Sequence, residues 1–214
     1  NGNYKREVIE MVTRMEYLQK LLDWKDEKVI KVITGIRRCG KSTLLLQYQE
    51  HLKEQGIDDS QIISVNFEDL QYEELLDYKT LYDYIQKRLC KDKMTYIFLD
   101  EIQKVDSFEK VVDSLHIKEH TDIYFTGSNA YMLSSDLATL LTGRYVELSM
   151  LPLSFKEYAQ LTNDTSEHAF SDYMRYGGLP YVAAMDKTDE KADMIIDGAI
   201  STFGDNESQL MGFV

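Results

Sequence analysis

Gly35-Ile36-Arg37-Arg38-Cys39-Gly40-Lys41-Ser42 is a complete G-x-x-x-x-G-K-[ST] phosphate-binding loop, and its flanks decide the fold. Lys28-Val29-Ile30-Lys31-Val32-Ile33-Thr34, just before it, reads as a strand. Ser42-Thr43-Leu44-Leu45-Leu46-Gln47-Tyr48 reads as the opening turns of a helix. The motif works by geometry. Glycines let the backbone curl so that several N–H groups face the phosphates, and the helix N-terminus adds the positive end of its dipole. The cradle is therefore expected to run from Gly35 through Ile36, Arg37, Arg38, Cys39, Gly40, Lys41 and Ser42 to Thr43. Lys41 is expected to reach the β- and γ-phosphates, and the Ser42 hydroxyl to hold Mg²⁺. A chance match would leave only a glycine-rich turn with an exposed lysine, but the strand before and the helix after favour a nucleoside triphosphate site. Arg37 and Arg38 read equally as phosphate or partner contacts and as solvated arginines.

Working outward, further strand-like runs stand at 61–67, 95–99, 122–126 and 145–149. Helical patterns lie between them at 41–54, 78–91, 108–118 and 129–141, and a helical period opens the chain through Val8, Ile9, Val12, Met15, Leu18, Leu21 and Leu22. Alternating β and α with nearly continuous apolar strands predicts a three-layer α/β fold, a parallel sheet covered on both faces. Ligands of such sheets sit at the carboxyl ends of the strands, where the phosphate loop lies. After Leu151-Pro152 the chain reads as short helices at 154–161, 166–176 and about 180–200. The expected division is a core over 1–152 and a helical lid over 153–214. The last dozen residues carry no period, and the chain is expected to stop short of a longer protein.

Composition narrows the classes. The chain has 214 residues with 43% hydrophobic content, enough for a real core. Its apolar runs are too short to span a bilayer, and no signal-peptide core follows Asn1-Gly2-Asn3-Tyr4. The two cysteines, Cys39 and Cys90, make no disulfide framework, so free thiols and a cytoplasmic setting are expected. A formal net charge of −13 does not support broad attraction to nucleic acid. The acidic clusters at Glu68-Asp69, Glu73-Glu74 and 186–193 read as solvated surface. His51, His116, His120 and His168 show no metal-ligand spacing.

Tyr96-Ile97-Phe98-Leu99-Asp100-Glu101 is an apolar strand ending in two carboxylates. Asp100, at the tip, is placed to act on Mg²⁺, and Glu101 to serve as general base toward a water facing the γ-phosphate. The next strand ends Phe125-Thr126-Gly127-Ser128-Asn129, where Ser128 and Asn129 are candidates to sense the γ-phosphate and orient that water. Helix capping is the alternative for both. Arg144, before the last strand, is read either as a guanidinium offered to γ-phosphate, in a neighbouring copy or in its own chain, or as half of a local salt bridge.

Together these residues resemble the AAA+-type P-loop ATPases of the AAA_14 group, whose members often carry a C-terminal domain called DUF4143. The matching stretches are GIRRCGKSTLL (35–45), FLDEIQ (98–103), FTGSNAYML (125–133), LTGRYVELSMLPLSFKEY (141–158) and YGGLP (176–180). The resemblance covers about residues 14 to 185. It implies a five-stranded sheet ordered 5-1-4-3-2, a helical lid, and ATP with Mg²⁺ as ligand. Lys41 and Ser42 would be the loop pair, Asp100 and Glu101 the metal and base carboxylates, and Asn129 or Ser128 the sensor. Gly178-Leu179-Pro180 resembles the G-x-P lid motif of signalling-type ATPases, with Pro180 near adenine. The chain lacks a clear lid arginine, so a conventional hexameric unfoldase mechanism is not implied, and nothing after Asp186 has the length of DUF4143. The function implied is an ATPase coupling hydrolysis to conformational change, with a second copy or a protein partner able to complete it. A nucleotide-gated switch or scaffold with slow hydrolysis is the alternative. A small-molecule phosphotransferase fits less well, because the helical tail offers only Arg175, and a DNA-loading role rests on analogy alone.

Overall fold

A computed structural model describes residues 12–127, 141, 143–185, 194, 196 and 197. Five strands make one sheet: β1 (Ile30–Gly35), β2 (Ile62–Asn66), β3 (Thr95–Asp100), β4 (Thr121–Thr126) and β5 (Tyr145–Met150). All neighbouring strands run parallel, in the order β2-β3-β4-β1-β5, which is 5-1-4-3-2 read from the other edge. The described helices are α1 (Met15–Asp23), α2 (Lys41–Glu54), α3 (Tyr78–Gln86), α4 (Phe108–His116), α5 (Phe155–Thr162), α6 (Glu167–Tyr176) and α7 (Pro180–Ala184).

The strand sequences explain the layers. β1, β3 and β4 are buried along their whole length, as interior parallel strands must be, whereas the edge strands β2 and β5 are only partly buried. Successive side chains point to opposite faces. Val32, Val65, Ile97, Leu99 and Phe125 thus pack against Leu81 and Ile85 of α3 and Val111, Val112 and Leu115 of α4. Ile33, Tyr96, Phe98 and Tyr124 pack against Leu18 and Leu21 of α1 and Leu44, Tyr48 and Leu52 of α2. A buried ion pair joins the central strands, with Lys31 Nζ donating to Asp122 Oδ1 at 2.5 Å. Asp122 Oδ2 accepts from Tyr124, whose hydroxyl meets that of Tyr48 at 2.9 Å. After β5, Leu153, Tyr158, Ala169 and Ala183 gather a separate small core among α5, α6 and α7.

Several elements differ from the sequence expectation. The opening helix starts at Met15: the amide of Gln47 on α2 bonds Val12 O and accepts from Arg14 N, and Met15 N turns back to Thr13 O at 2.9 Å, so residues 12–14 are not helical. Residues 1–11 lie outside the described residues, as does the expected helix at 129–141 except Leu141. α3 ends at Gln86 rather than 91, and the Cys90 N–H turns instead to Thr95 Oγ1 at the head of β3. A 3₁₀ segment over Leu70–Leu76, capped by Asp69, was not expected. The helix expected over about 180–200 is interrupted: α7 stops at Ala184 and Met185 is extended, 194, 196 and 197 are helical, and the other positions of 186–200 lie outside the described residues. No helix of the described residues is long and apolar enough to cross a membrane.

Candidate functional site

The loop leaves the carboxyl edge of β1 between two glycines. Gly35 pairs with Met150 of β5, and a Cβ on it would lie 2.4 Å from the Met150 carbonyl oxygen, so only glycine fits. Gly40 takes φ 104° as the N-cap of α2 and offers no side-chain cap, which leaves the first-turn N–H groups of that helix open toward the loop. Arg38 is also left-handed, at φ 68°, a strained conformation for a side-chain-bearing residue. Arg37 and Arg38 are exposed, and Arg37 faces Glu68 at 3.7 Å. Cys39 is buried, and burial pushes its thiol up, which makes it a packing residue. Ser42 and Thr43 are half-buried in the first turn of α2.

Lys41 is 4% exposed, an ammonium that needs partners. Its Nζ donates to the carbonyls of Gly35 at 3.2 Å and Ile36 at 3.3 Å, and lies 3.6 Å from Glu101 Oε1. Glu101 sits at φ 57°, ψ 47°, and its Oε2 accepts from Gln103 Nε2 at 2.5 Å. Gln103 Oε1 is buried without a hydrogen-bond partner.

Asp100 ends β3, also buried. Its Oδ1 accepts from Thr126 Oγ1 at 2.5 Å, and the same hydroxyl accepts from the Glu101 N–H at 2.9 Å. Burial pushes the Asp100 carboxyl above its ordinary value, opposed by hydrogen bonds from Thr126 and Ser42 and by the Lys41 charge, and reinforced by Glu101. A buried carboxylate held between the Thr126 and Ser42 hydroxyls and facing an ammonium has the chemistry to hold a cation. Among the described residues no group of three or more His, Cys, Asp or Glu could hold a metal, so a Mg²⁺ ion here would draw its other ligands from nucleotide and water.

Lys41, Ser42, Asp100 and Glu101 thus converge at one edge of the sheet. Ser128 and Asn129 lie outside the described residues. Pro180 is the first residue of α7, and the turn before it brings Leu179 and Val182 against Ile36 of the phosphate loop. Gly178 packs on Leu153, where a Cβ would come 2.1 Å from the carbonyl oxygen. Arg144 lies elsewhere. Its carbonyl accepts from Ile30 N at the start of β1, and its guanidinium pairs with Asp113 of α4 at 2.6 Å. With Ile30 to Gly35 advancing roughly 3.3 Å per residue, the full length of β1 separates Arg144 from the loop. In this structure Arg144 stands at the opposite end of β1 from the loop and forms the local salt bridge.

Sequence reasoning missed Thr126 and Gln103. For Thr126 the only signal was its place at a strand tip; it is the register, with Leu99 opposite Phe125, that sets the next residues, Asp100 and Thr126, side by side. Gln103 gave none, because it reaches Glu101 only through the left-handed turn.

Comparison with known proteins agrees with this geometry. The AAA_14 family, described as an AAA domain, matches residues 27–159. The chain is 43% identical over 183 residues to an uncharacterised protein of Haemophilus influenzae, covering 83% of this chain and 46% of that one. It is 32% identical over 181 residues to an uncharacterised protein of Methanocaldococcus jannaschii, covering 78% and 39%. The chain therefore spans less than half the length of the curated relatives it matches. Among solved structures it is similar to the Walker-type ATPase PABY2304 of Pyrococcus abyssi, with TM-score 0.62 and 16% identity over 90% of this chain and 74% of that one. A DNA polymerase III gamma subunit-related protein of Thermotoga maritima gives TM-score 0.55 and 11% identity over 78% and 57%. At these identities the structural matches speak for the fold.

Proposed function

The chain belongs to the AAA_14 family of AAA domains, and from that premise we propose that it binds ATP with Mg²⁺ at the phosphate loop and hydrolyses it, coupling hydrolysis to movement of the helical lid. The observation that carries this reading is the convergence of Lys41, Ser42, Asp100 and Glu101 at the carboxyl edge of β1 and β3. The backbone from Gly35 to Gly40 and the first turn of α2 receive the phosphates. Lys41 leaves the carbonyls of Gly35 and Ile36 for the β- and γ-phosphate oxygens, a stronger charge-assisted contact. Ser42 and Asp100 would hold Mg²⁺, and the ion would supply charge neutralisation at those oxygens. Once Lys41 has moved, Glu101 is free to take a proton from the water that attacks the γ-phosphorus as ADP departs. Ser128 or Asn129 orients that water. Adenine lies against the turn at Pro180, beside Ile36.

The proposed division at 152/153 is supported by the separate apolar cluster of α5, α6 and α7. Arg144 acts, in this reading, only from a second copy of the chain, after releasing Asp113.

The engagement of both Glu101 oxygens favours one alternative, a nucleotide-gated switch with slow hydrolysis. ATP binding and steady-state hydrolysis across a range of protein concentrations, for the wild type and Glu101→Gln, separate the two. Turnover per molecule that rises with concentration and is lost in Glu101→Gln, with binding retained, supports the assembled ATPase. Tight binding without turnover in either protein selects the switch, and no ATP binding refutes both.

A further inference from the structure

Arg14 stands at the head of α1, far from the loop in sequence, yet its side chain is only 5% exposed. All three guanidinium nitrogens are engaged. Nε donates to Glu157 Oε1 at 2.6 Å, and Nη1 to the Cys39 carbonyl at 3.3 Å. Nη2 donates to the carbonyls of Leu151 at 3.0 Å and Pro152 at 3.3 Å. The Tyr17 ring lies 4.7 Å from the guanidinium carbon, and the Tyr17 hydroxyl accepts from the Leu151 N–H at 3.1 Å. One side chain therefore grips the main chain of the phosphate loop, the link from β5 into the lid, and the first turn of α5. Glu157 is bound on the far side too, since its Oε2 accepts from the N–H and hydroxyl of Ser154 at 2.8 Å each.

The chemistry makes this more than a packing contact. A guanidinium is permanently charged and carries five donors in a planar fork, so it can serve four acceptors on three segments at once. A buried charge must keep its counter-charge. Here the counter-charge, Glu157, belongs to the lid, while the Cys39 carbonyl belongs to the loop. A lid rotation that carried Glu157 away would strand a buried cation. A shift of the Cys39 peptide would take away one of its acceptors. Loop and lid are thus bound to move together, and the Ile36–Leu179–Val182 contact lies between the same two bodies.

We infer that Arg14 is the positioning residue that couples the phosphate loop to the lid, passing a nucleotide-driven movement of the loop to α5 through Glu157. The inference rests on the reading that the loop binds nucleotide. Hydrogen–deuterium exchange on the whole chain, with and without the non-hydrolysable analogue AMPPNP and Mg²⁺, tests it. In the wild type, nucleotide slows exchange in both 35–43 and 154–162. In Arg14→Met and Glu157→Gln at saturating nucleotide, protection of 35–43 remains and the response of 154–162 is lost. Ser154→Ala, which breaks the helix cap but leaves the Arg14–Glu157 pair, keeps the lid response. A merely structural role for Arg14 lowers the melting temperature without removing that response. Should Arg14→Met fail to fold, Glu157→Gln decides. Lid protection equal to wild type in a folded variant overturns the inference, as does a wild-type lid that ignores nucleotide while its loop responds. Absence of loop protection in the wild type instead overturns the nucleotide reading, and this inference with it.

Discussion

Replacing Thr126 by valine removes a single oxygen at almost constant shape, and the structure makes that oxygen the joint between Asp100 and Glu101. It donates to Asp100 Oδ1 and accepts from the Glu101 N–H, in a side chain that is fully buried. Valine leaves the Glu101 N–H unpaired, which costs about 1–3 kcal/mol, and deletes a hydrogen bond to a charged group worth about 1.5–3 kcal/mol. The two losses share an atom and are not independent, so the expected destabilisation is roughly 2–5 kcal/mol. Thr126→Ser keeps the hydroxyl and removes only a methyl, with an expected cost of about 1 kcal/mol.

The pH dependence supplies a sharper test. The Thr126 hydrogen bond lowers the Asp100 pKa against the upward push of burial, so valine lets it rise further. A carboxyl whose folded pKa is raised favours the folded state while protonated, and that advantage is lost as pH climbs from its ordinary value through its raised folded value. The penalty in Thr126→Val therefore grows with pH across that window and is smallest below it. Urea unfolding of wild type, Thr126→Val and Thr126→Ser from acid to neutral pH measures this directly. In ATP hydrolysis, the acid limb of the valine variant moves to higher pH. A valine variant no less stable than the serine variant, with a pH-independent difference, would refute the reasoning.

Two further outcomes follow from buried groups beyond Thr126. Asp122→Asn strands the Lys31 ammonium, 1% exposed between central strands, and is expected to cost about 3–5 kcal/mol, read by chemical denaturation; a loss below about 1 kcal/mol would mean that Lys31 finds water. Burial pushes the Cys39 thiol up, whereas Cys90 is only half-buried. In the native protein a disulfide reagent should therefore label Cys90 well before Cys39, and equal rates would show the loop opening readily.

What the sequence disclosed depended on whether a residue's role was local. The strands of the sheet and the helix after the loop could be read from short apolar periods, because burial on both faces leaves little room for polar residues. The loop could be read because its glycines answer to local backbone demands at Gly35 and Gly40. Arg14 could not. Its partners lie 25, 137, 138 and 143 residues away, and no period or spacing marks a side chain that reaches so far. The non-helical start at 12–14 was hidden for the same reason, since a glutamine on another helix holds it.

Strand order explains why Thr126 carries so much. β4 lies between β1 and β3, so the loop bearing Lys41 and Ser42 and the carboxylates of Asp100 and Glu101 leave strands that are not neighbours. With strands about 4.8 Å apart, roughly 10 Å of sheet separates the two tips. Lys41 spans that gap with a long side chain, coming to 3.6 Å from Glu101. Asp100 and Ser42 meet across the tip of β4, and whatever stands there must be short enough to let them meet and polar enough to bind the carboxylate. Threonine meets both conditions, and its methyl still fills the buried position. A larger apolar residue would part Ser42 from Asp100, and glycine would leave the Asp100 carboxylate short of a donor. The crossover that places β4 in the middle therefore makes the last residue of that strand part of the site, although its own sequence reads as ordinary core.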